Sequence, residues 1–239
     1  MSKRAIIMYG PPGAGKGTQA ELLSRKMNVT HFDTGRYIES LVHSKEAGTD
    51  PVLKQEQINF DEGKLCTPSW VLNIIEEATR KIALTGQGVV FSGSPRTMYE
   101  AFGEPEEGSD AEKRPEGGLI KVLEEIYGKD NIIVFTISID EASSIKRNST
   151  RMICSVCGLP IMSISDANIC GFCGGPAKKR TLDNPEVIKV RLEEYKKRTY
   201  PIIKQLKQEK YRIEEIDGTP APYKVFEQIL SSLSPKIHS

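Results

Sequence analysis

Residues 10–18, Gly-Pro-Pro-Gly-Ala-Gly-Lys-Gly-Thr, interrupt a short apolar run and open a helix-forming stretch. Nothing else in the chain restricts its fold so tightly. The run Ala5-Ile6-Ile7-Met8-Tyr9 reads as a buried strand, and residues 19–26 carry apolar side chains at helical spacing, so the glycines fall at a strand-to-helix turn. At such a turn the amides of Gly13, Ala14, Gly15, Lys16, Gly17 and Thr18 are free of helix partners. With the positive end of the helix macrodipole they form a nest for anionic oxygens. Lys16 is placed to reach a transferring phosphoryl group, and Thr18 the side on which a magnesium ion sits. The Gly-x4-Gly-Lys spacing is that of a nucleotide-phosphate loop, with one departure. Gly17 stands where Ser or Thr follows the lysine, and the hydroxyl comes one residue later.

A chain of 239 residues buries roughly three quarters of its unfolded surface, enough for one α/β domain with insertions. Lys plus Arg number 33 against 32 Asp plus Glu, so no global field draws the protein onto nucleic acid or an anionic membrane. Basic residues must act locally. The opening Met-Ser-Lys-Arg is followed by five apolar residues before Gly10, too few for a signal peptide, and nowhere do 18 apolar residues run together. A soluble, cytoplasmic protein with no membrane and no nucleic-acid partner is expected.

Further strands are predicted at 29–32, 88–91, 131–139 and 211–216, and helices at 70–84, 119–127, 141–151, 185–210 and 223–233. Strand-helix alternation predicts a parallel sheet with right-handed crossovers and ligands at the carboxyl ends of its strands. Residues 103–117, polar and rich in Gly and Pro, read as a mobile surface loop.

Four of the five cysteines form Cys154-x2-Cys157 and Cys170-x2-Cys173, twelve residues apart. Each pair offers two thiolates to one ion, and two such knuckles make a closed tetrahedral zinc site, structural because no coordination position stays open. A reducing cytosol disfavours the alternative of disulfides.

These residues, taken in order, resemble the adenylate kinases, and in particular the branch with a zinc-bearing lid. The likeness rests on residues 10–19, Asp33-Thr34-Gly35, Asp61-Glu-Gly-Lys-Leu65, Gly93-Ser-Pro-Arg-Thr97, the two knuckles, Arg191-Leu-x-x-Tyr195 and Asp217-Gly-Thr219. The resemblance implies a P-loop nucleoside monophosphate kinase fold: a five-stranded parallel sheet flanked by helices, an NMP-binding insertion over 33–75 and a lid over 152–183. It implies transfer of the ATP γ-phosphoryl to a nucleoside monophosphate, with Mg2+ as cofactor, Zn2+ as a structural ion and a monomeric enzyme. By position, Arg96 would hold the acceptor's phosphate, Arg147 would stack on the ATP base, and Arg151, Arg180 and Arg191 would clamp the phosphates, with Asp183 paired to one of them. Thr34, Arg36, Lys64, Leu65, Cys66, Gly93 and Glu100 would complete the acceptor site. Guanidinium groups suit this work because they are planar, permanently charged and bidentate.

Three positions depart from the family pattern. Its phosphate-binding arginine falls at Glu39, so Arg36, one turn earlier, is the candidate replacement. Its Asp-Gly-Phe-Pro-Arg reads Ser92-Gly-Ser-Pro-Arg96, which removes an aspartate that orders the magnesium water shell; Asp33 is the candidate substitute. Its adenine-pairing glutamine is Glu100, and a carboxylate only accepts hydrogen bonds, which suits GMP unless the side chain is protonated or turned away. The three histidines read as structural. A rival reading is a nucleotide-binding sensor with weakened chemistry.

Overall fold

A computed structural model describes residues 3–105, 112–161, 168–179 and 181–233. Five strands, β1 (Ala5–Tyr9), β2 (Thr30–Phe32), β3 (Val89–Phe91), β4 (Ile132–Ser138) and β8 (Arg212–Asp217), form one parallel sheet. Its order is β2-β3-β1-β4-β8. The inner strands are almost wholly apolar, as strands covered on both faces must be. Ala5, Ile7 and Tyr9 of β1 pack into one layer with α4 (Pro68–Leu84), α5 (Met98–Phe102), α6 (Leu119–Tyr127) and α9 (Tyr200–Gln208). Ile6 and Met8 face the other, with α1 (Lys16–Met27) and α10 (Pro222–Leu233).

Polar caps start the helices where the sequence changes period. Asp33 accepts from the Arg36 amide at the head of α2 (Thr34–Val42), Asp50 from Val52 and Leu53 at α3 (Pro51–Asp61), and Asp140 from Ser143 at α7 (Glu141–Ser149). The predicted helix over 185–210 is divided. It runs as α8 (Pro185–Glu194), a π turn over Tyr195–Thr199, then α9. Pro201 has no N–H to donate and its ring crowds the carbonyl of Lys197, so the chain widens before it. Helix α4 begins two residues before its predicted start, at a proline in the first turn, and α7 ends two residues early.

Residues 103–117 are tied down at both flanks. The Arg114 amide donates to the Gly103 carbonyl at 2.8 Å, and its guanidinium grips both oxygens of Glu76 at 2.8 and 3.0 Å. The described flanks of the expected surface loop are irregular and held by these contacts; residues 106–111 lie outside the described residues. A second sheet, unpredicted, is antiparallel with order β6-β5-β7: β5 (Met152–Cys154), β6 (Pro160–Ile161) and β7 (Ala177–Lys179). Among the described residues no helix is long and apolar enough to cross a membrane.

Candidate functional site

The loop after β1 turns on two glycines in the left-handed region, where a side chain would be strained. Gly13 has φ +79°, and a Cβ there would meet the Asn148 amide nitrogen at 2.7 Å. Gly15, φ +90°, caps α1 with nothing within 4 Å of its absent side chain, so the first amides of α1 face open space. Lys16 spans the loop, its ammonium donating to the carbonyls of Gly10 (2.7 Å) and Pro11 (3.0 Å). Burial, then the positive charges of Arg96, Arg191 and Arg151, push Lys16 well below its ordinary pKa, opposed only by Asp33. Four cations on one spot are the mark of a site built for polyanions.

Lys16, Arg96 and Arg191 line one cavity with Gly10, Pro12, Leu65 and Gly93. Three segments far apart in sequence thus converge at the carboxyl end of β1 and β3. The cavity measures about 50 Å³, room for a few waters and not for a nucleotide. Arg96 is fixed by its own surroundings: its Nε donates to Gly93 O at 2.5 Å, and Thr199 Oγ1 donates to its carbonyl at 2.9 Å. Arg151 grips Asp183 through Nε (2.8 Å) and Nη2 (2.6 Å), and Arg191 stands 3.6 Å from the same carboxylate, whose side chain is 2 % exposed. The expected Asp183 pairing therefore involves two arginines. Arg147 donates to the carbonyls of Gly218 and Thr219, both at 2.8 Å, which anchors it beside the loop after β8. Arg180 lies outside the described residues.

The acceptor-side residues are less uniform. Thr34 is buried and among the described residues its hydroxyl has no partner, so it is a donor without an acceptor there. Arg36 does not enter the cavity; its Nη2 donates to Gly158 O at 2.9 Å, 122 residues away in the cysteine-bearing unit. Lys64 is exposed and paired with Glu62 at 2.7 Å. Cys66 is buried, and burial followed by Glu56 pushes its thiol up to about 12, so it is unreactive. Glu100 is 2 % exposed and absent from the cavity wall. Its Oε2 accepts from the Arg96 amide at 2.7 Å, while Thr97 Oγ1 accepts from the Glu100 amide. That is a capping arrangement at the head of α5, and it keeps the carboxyl from water. Burial raises the Glu100 carboxyl to about 7, against the pull of the Arg96 amide and of the Arg96 and Arg198 guanidiniums.

Asp33 uses Oδ1 to cap α2 at 3.1 Å, and its Oδ2 points at Gly17, 4.0 Å from where a Cβ would stand. A phosphate loop normally presents a hydroxyl from that position toward its metal, so the Asp33 carboxylate beside Gly17, with Thr18 in the same turn, supplies the oxygen donors that would hold a magnesium ion on this side of the loop. One contact was not legible beforehand. His31, read as structural, has Nε2 2.7 Å from Ser92 Oγ and Nδ1 3.1 Å from Glu21 Oε2.

In the cysteine-bearing unit, all four sulfur atoms lie within 4.8 Å of one another. Cys154 and Cys173 approach to 3.4 Å and Cys157 and Cys170 to 3.8 Å, against about 3.8 Å for sulfurs around a tetrahedral zinc. Amides of Val156 and Cys157 donate to Cys154 Sγ, and that of Phe172 to Cys170 Sγ. Amide donors, Cys157 for Cys154 and Cys173 for Cys170 foremost, lower both thiols and favour thiolates. The donor set fits zinc in a closed, structural site.

Comparison with known proteins agrees with this geometry. The profile of the family described as adenylate kinase matches residues 8–211. A protein named adenylate kinase from Magnetococcus marinus is 31% identical over 95% of this chain and 99% of its own length. Another of that name from Lactobacillus johnsonii is 33% identical over 96% and 98%, and one from Clostridium tetani is 27% identical over 95% and 97%.

Proposed function

This chain belongs to the adenylate kinase family and is a nucleoside monophosphate kinase, and from that premise we propose that it converts ATP and AMP into two ADP. The observation that carries the reading is the shared wall of Lys16, Arg96 and Arg191 in one cavity beside the phosphate loop. Phosphoryl transfer asks little covalent work of a protein; the rate comes from aligning two anionic groups and neutralising the charge between them. The loop amides and Lys16 hold the ATP phosphates, Arg96 the acceptor phosphate, and Arg151, Arg180 and Arg191 the region between. Arg147 takes the ATP base. Thr34, Gly93 and the backbone of Lys64 and Leu65 line the acceptor, with Arg36 free to join them once its bond to Gly158 opens. Asp33 and Thr18 would hold magnesium, which when bound neutralises phosphate charge; Cys154, Cys157, Cys170 and Cys173 would hold zinc.

Residues 33–75 act as the NMP-binding insertion and 152–183 as the lid, in a cytoplasmic enzyme whose zinc thiolates stay reduced. The small cavity supports this, because nucleotides enter only when these parts swing apart. The bond from the Arg96 amide to Glu100, which is off the cavity wall, supports AMP over GMP as the acceptor. A coupled assay with ATP and each of AMP, GMP, CMP and UMP tests the proposal: ADP formation fastest with AMP, and reduced at least 100-fold by Arg96→Ala, is expected. ATP binding with no transfer to any of the four would overturn it in favour of a nucleotide sensor.

A further inference from the structure

The register of the parallel sheet pairs Phe32 with Phe91, so the residues that follow, Asp33 and Ser92, emerge side by side at the carboxyl ends of β2 and β3. The Ser92 amide donates to Phe32 O at 3.4 Å, which ties the two ends together. Asp33 turns toward Gly17 of the phosphate loop, so Ser92 stands next to the carboxylate best placed to hold magnesium. Ser92 is only 7 % exposed and its hydroxyl is not free to rotate. Its Oγ lies 2.7 Å from His31 Nε2, and His31 Nδ1 lies 3.1 Å from Glu21 Oε2. The other Glu21 oxygen takes Nε and Nη2 of Arg25 at 3.1 and 2.9 Å, so this carboxylate is held ionised and in place.

A carboxylate only accepts, so opposite Glu21 the Nδ1 carries a hydrogen. In the neutral imidazole Nε2 then presents its lone pair, and the Ser92 O–H donates to it. With its proton so directed, the Ser92 oxygen keeps both lone pairs for another donor. We propose that Ser92 accepts a hydrogen bond from a water of the nucleotide-bound magnesium ion, and that His31 and Glu21 are positioning residues which fix its hydroxyl for that task. Asp33 supplies the negative charge, and Ser92 supplies a directed neutral acceptor where a second carboxylate would otherwise stand. The inference rests on the reading of Asp33 as the magnesium-side carboxylate.

The test is manganese affinity, read by electron paramagnetic resonance on the full-length protein with ADP bound and no turnover. His31→Phe, which cannot accept from Ser92, is expected to weaken Mn2+ binding about threefold to tenfold while leaving ADP affinity in EDTA unchanged. His31→Gln, whose side-chain oxygen can take the same hydrogen bond, is expected to keep most of the affinity. Ser92→Asp is expected to tighten Mn2+ binding and to make His31→Phe silent in the double variant. Unchanged Mn2+ affinity in His31→Phe, or an equal loss of ADP affinity in EDTA, overturns the inference. Asp33→Asn separates the two readings: if it too leaves Mn2+ affinity unchanged, the magnesium site itself is misassigned, whereas a loss there beside a silent His31→Phe removes only the relay.

Discussion

The parallel sheet and the cysteine-bearing lid are held together by opposite means. The sheet buries Phe91, Phe135, Ile132 and Ile133 almost completely between two helical layers. In the lid the packing is inverted: Cys154 and Cys170 are inside, while Val156, Ile169 and Phe172 are more than half exposed. One region is ordered by removing hydrocarbon from water, the other by gathering four sulfur atoms. The cysteine cluster and its short sheet lie outside the main core, and among its described residues the segment rejoins that core only at Leu182, which suits the part of a movable cover proposed for it.

The largest effect that could break this contrast is zinc removal. Structural zinc sites contribute about 10–16 kcal/mol, so a chelator should unfold the lid as a separate event. Hydrogen exchange would then accelerate over the described lid amides and leave β4 protected; loss of protection in both at once would show that the regions are one cooperative unit. Phe135→Ala is the converse. It should cost about 3–5 kcal/mol in the core's denaturant midpoint with the zinc content unchanged.

Glu100 sharpens the picture from the core side. Its folded pKa, about 7, lies above the ordinary 4.5, so from pH 4.5 upward the unfolded chain releases this proton first. Stability from this group therefore falls as pH rises from about 4.5 to about 7 and is level above. Glu100→Gln should abolish that slope and gain up to about 3 kcal/mol at pH 8, read by urea titration across pH. The smallest effect is expected of Gly158→Ala. At φ +71° the new Cβ is strained by about 1–2 kcal/mol and would stand 2.5 Å from the Arg36 guanidinium. The lid should part from the NMP-binding helix, seen as a larger average distance between labels on the two, with the sheet's melting nearly unchanged.

What the sequence disclosed followed the range of its signals. The phosphate loop and the knuckles are local, each fixed within a few residues by glycine geometry or thiolate spacing, and the structure assembles both as read. The five sheet strands also appear within a residue of their predicted ends, and continuous apolar runs mark the three inner ones, β1, β3 and β4. What stayed hidden depends on strand order and on docking. His31 meets Ser92 only because β2 lies against β3, and Arg36 meets Gly158 only because two insertions face each other. The π turn before Pro201 eluded periodicity, since one widened turn shifts the phase too little to register. The motif position of Glu100 leaves open whether it meets a base or is turned away; its contact with the Arg96 amide is a local capping habit that Thr97, three residues before it, announces.

Asp183 leaves a mark on turnover. It holds Arg151 and Arg191, two of the arginines that the proposed function assigns to phosphate, and so acts on that reading as an internal stand-in for an anionic guest. Under the proposed function each arriving nucleotide would exchange one anion for another instead of meeting bare charge, and each departing product would leave its arginines to a carboxylate already beside them.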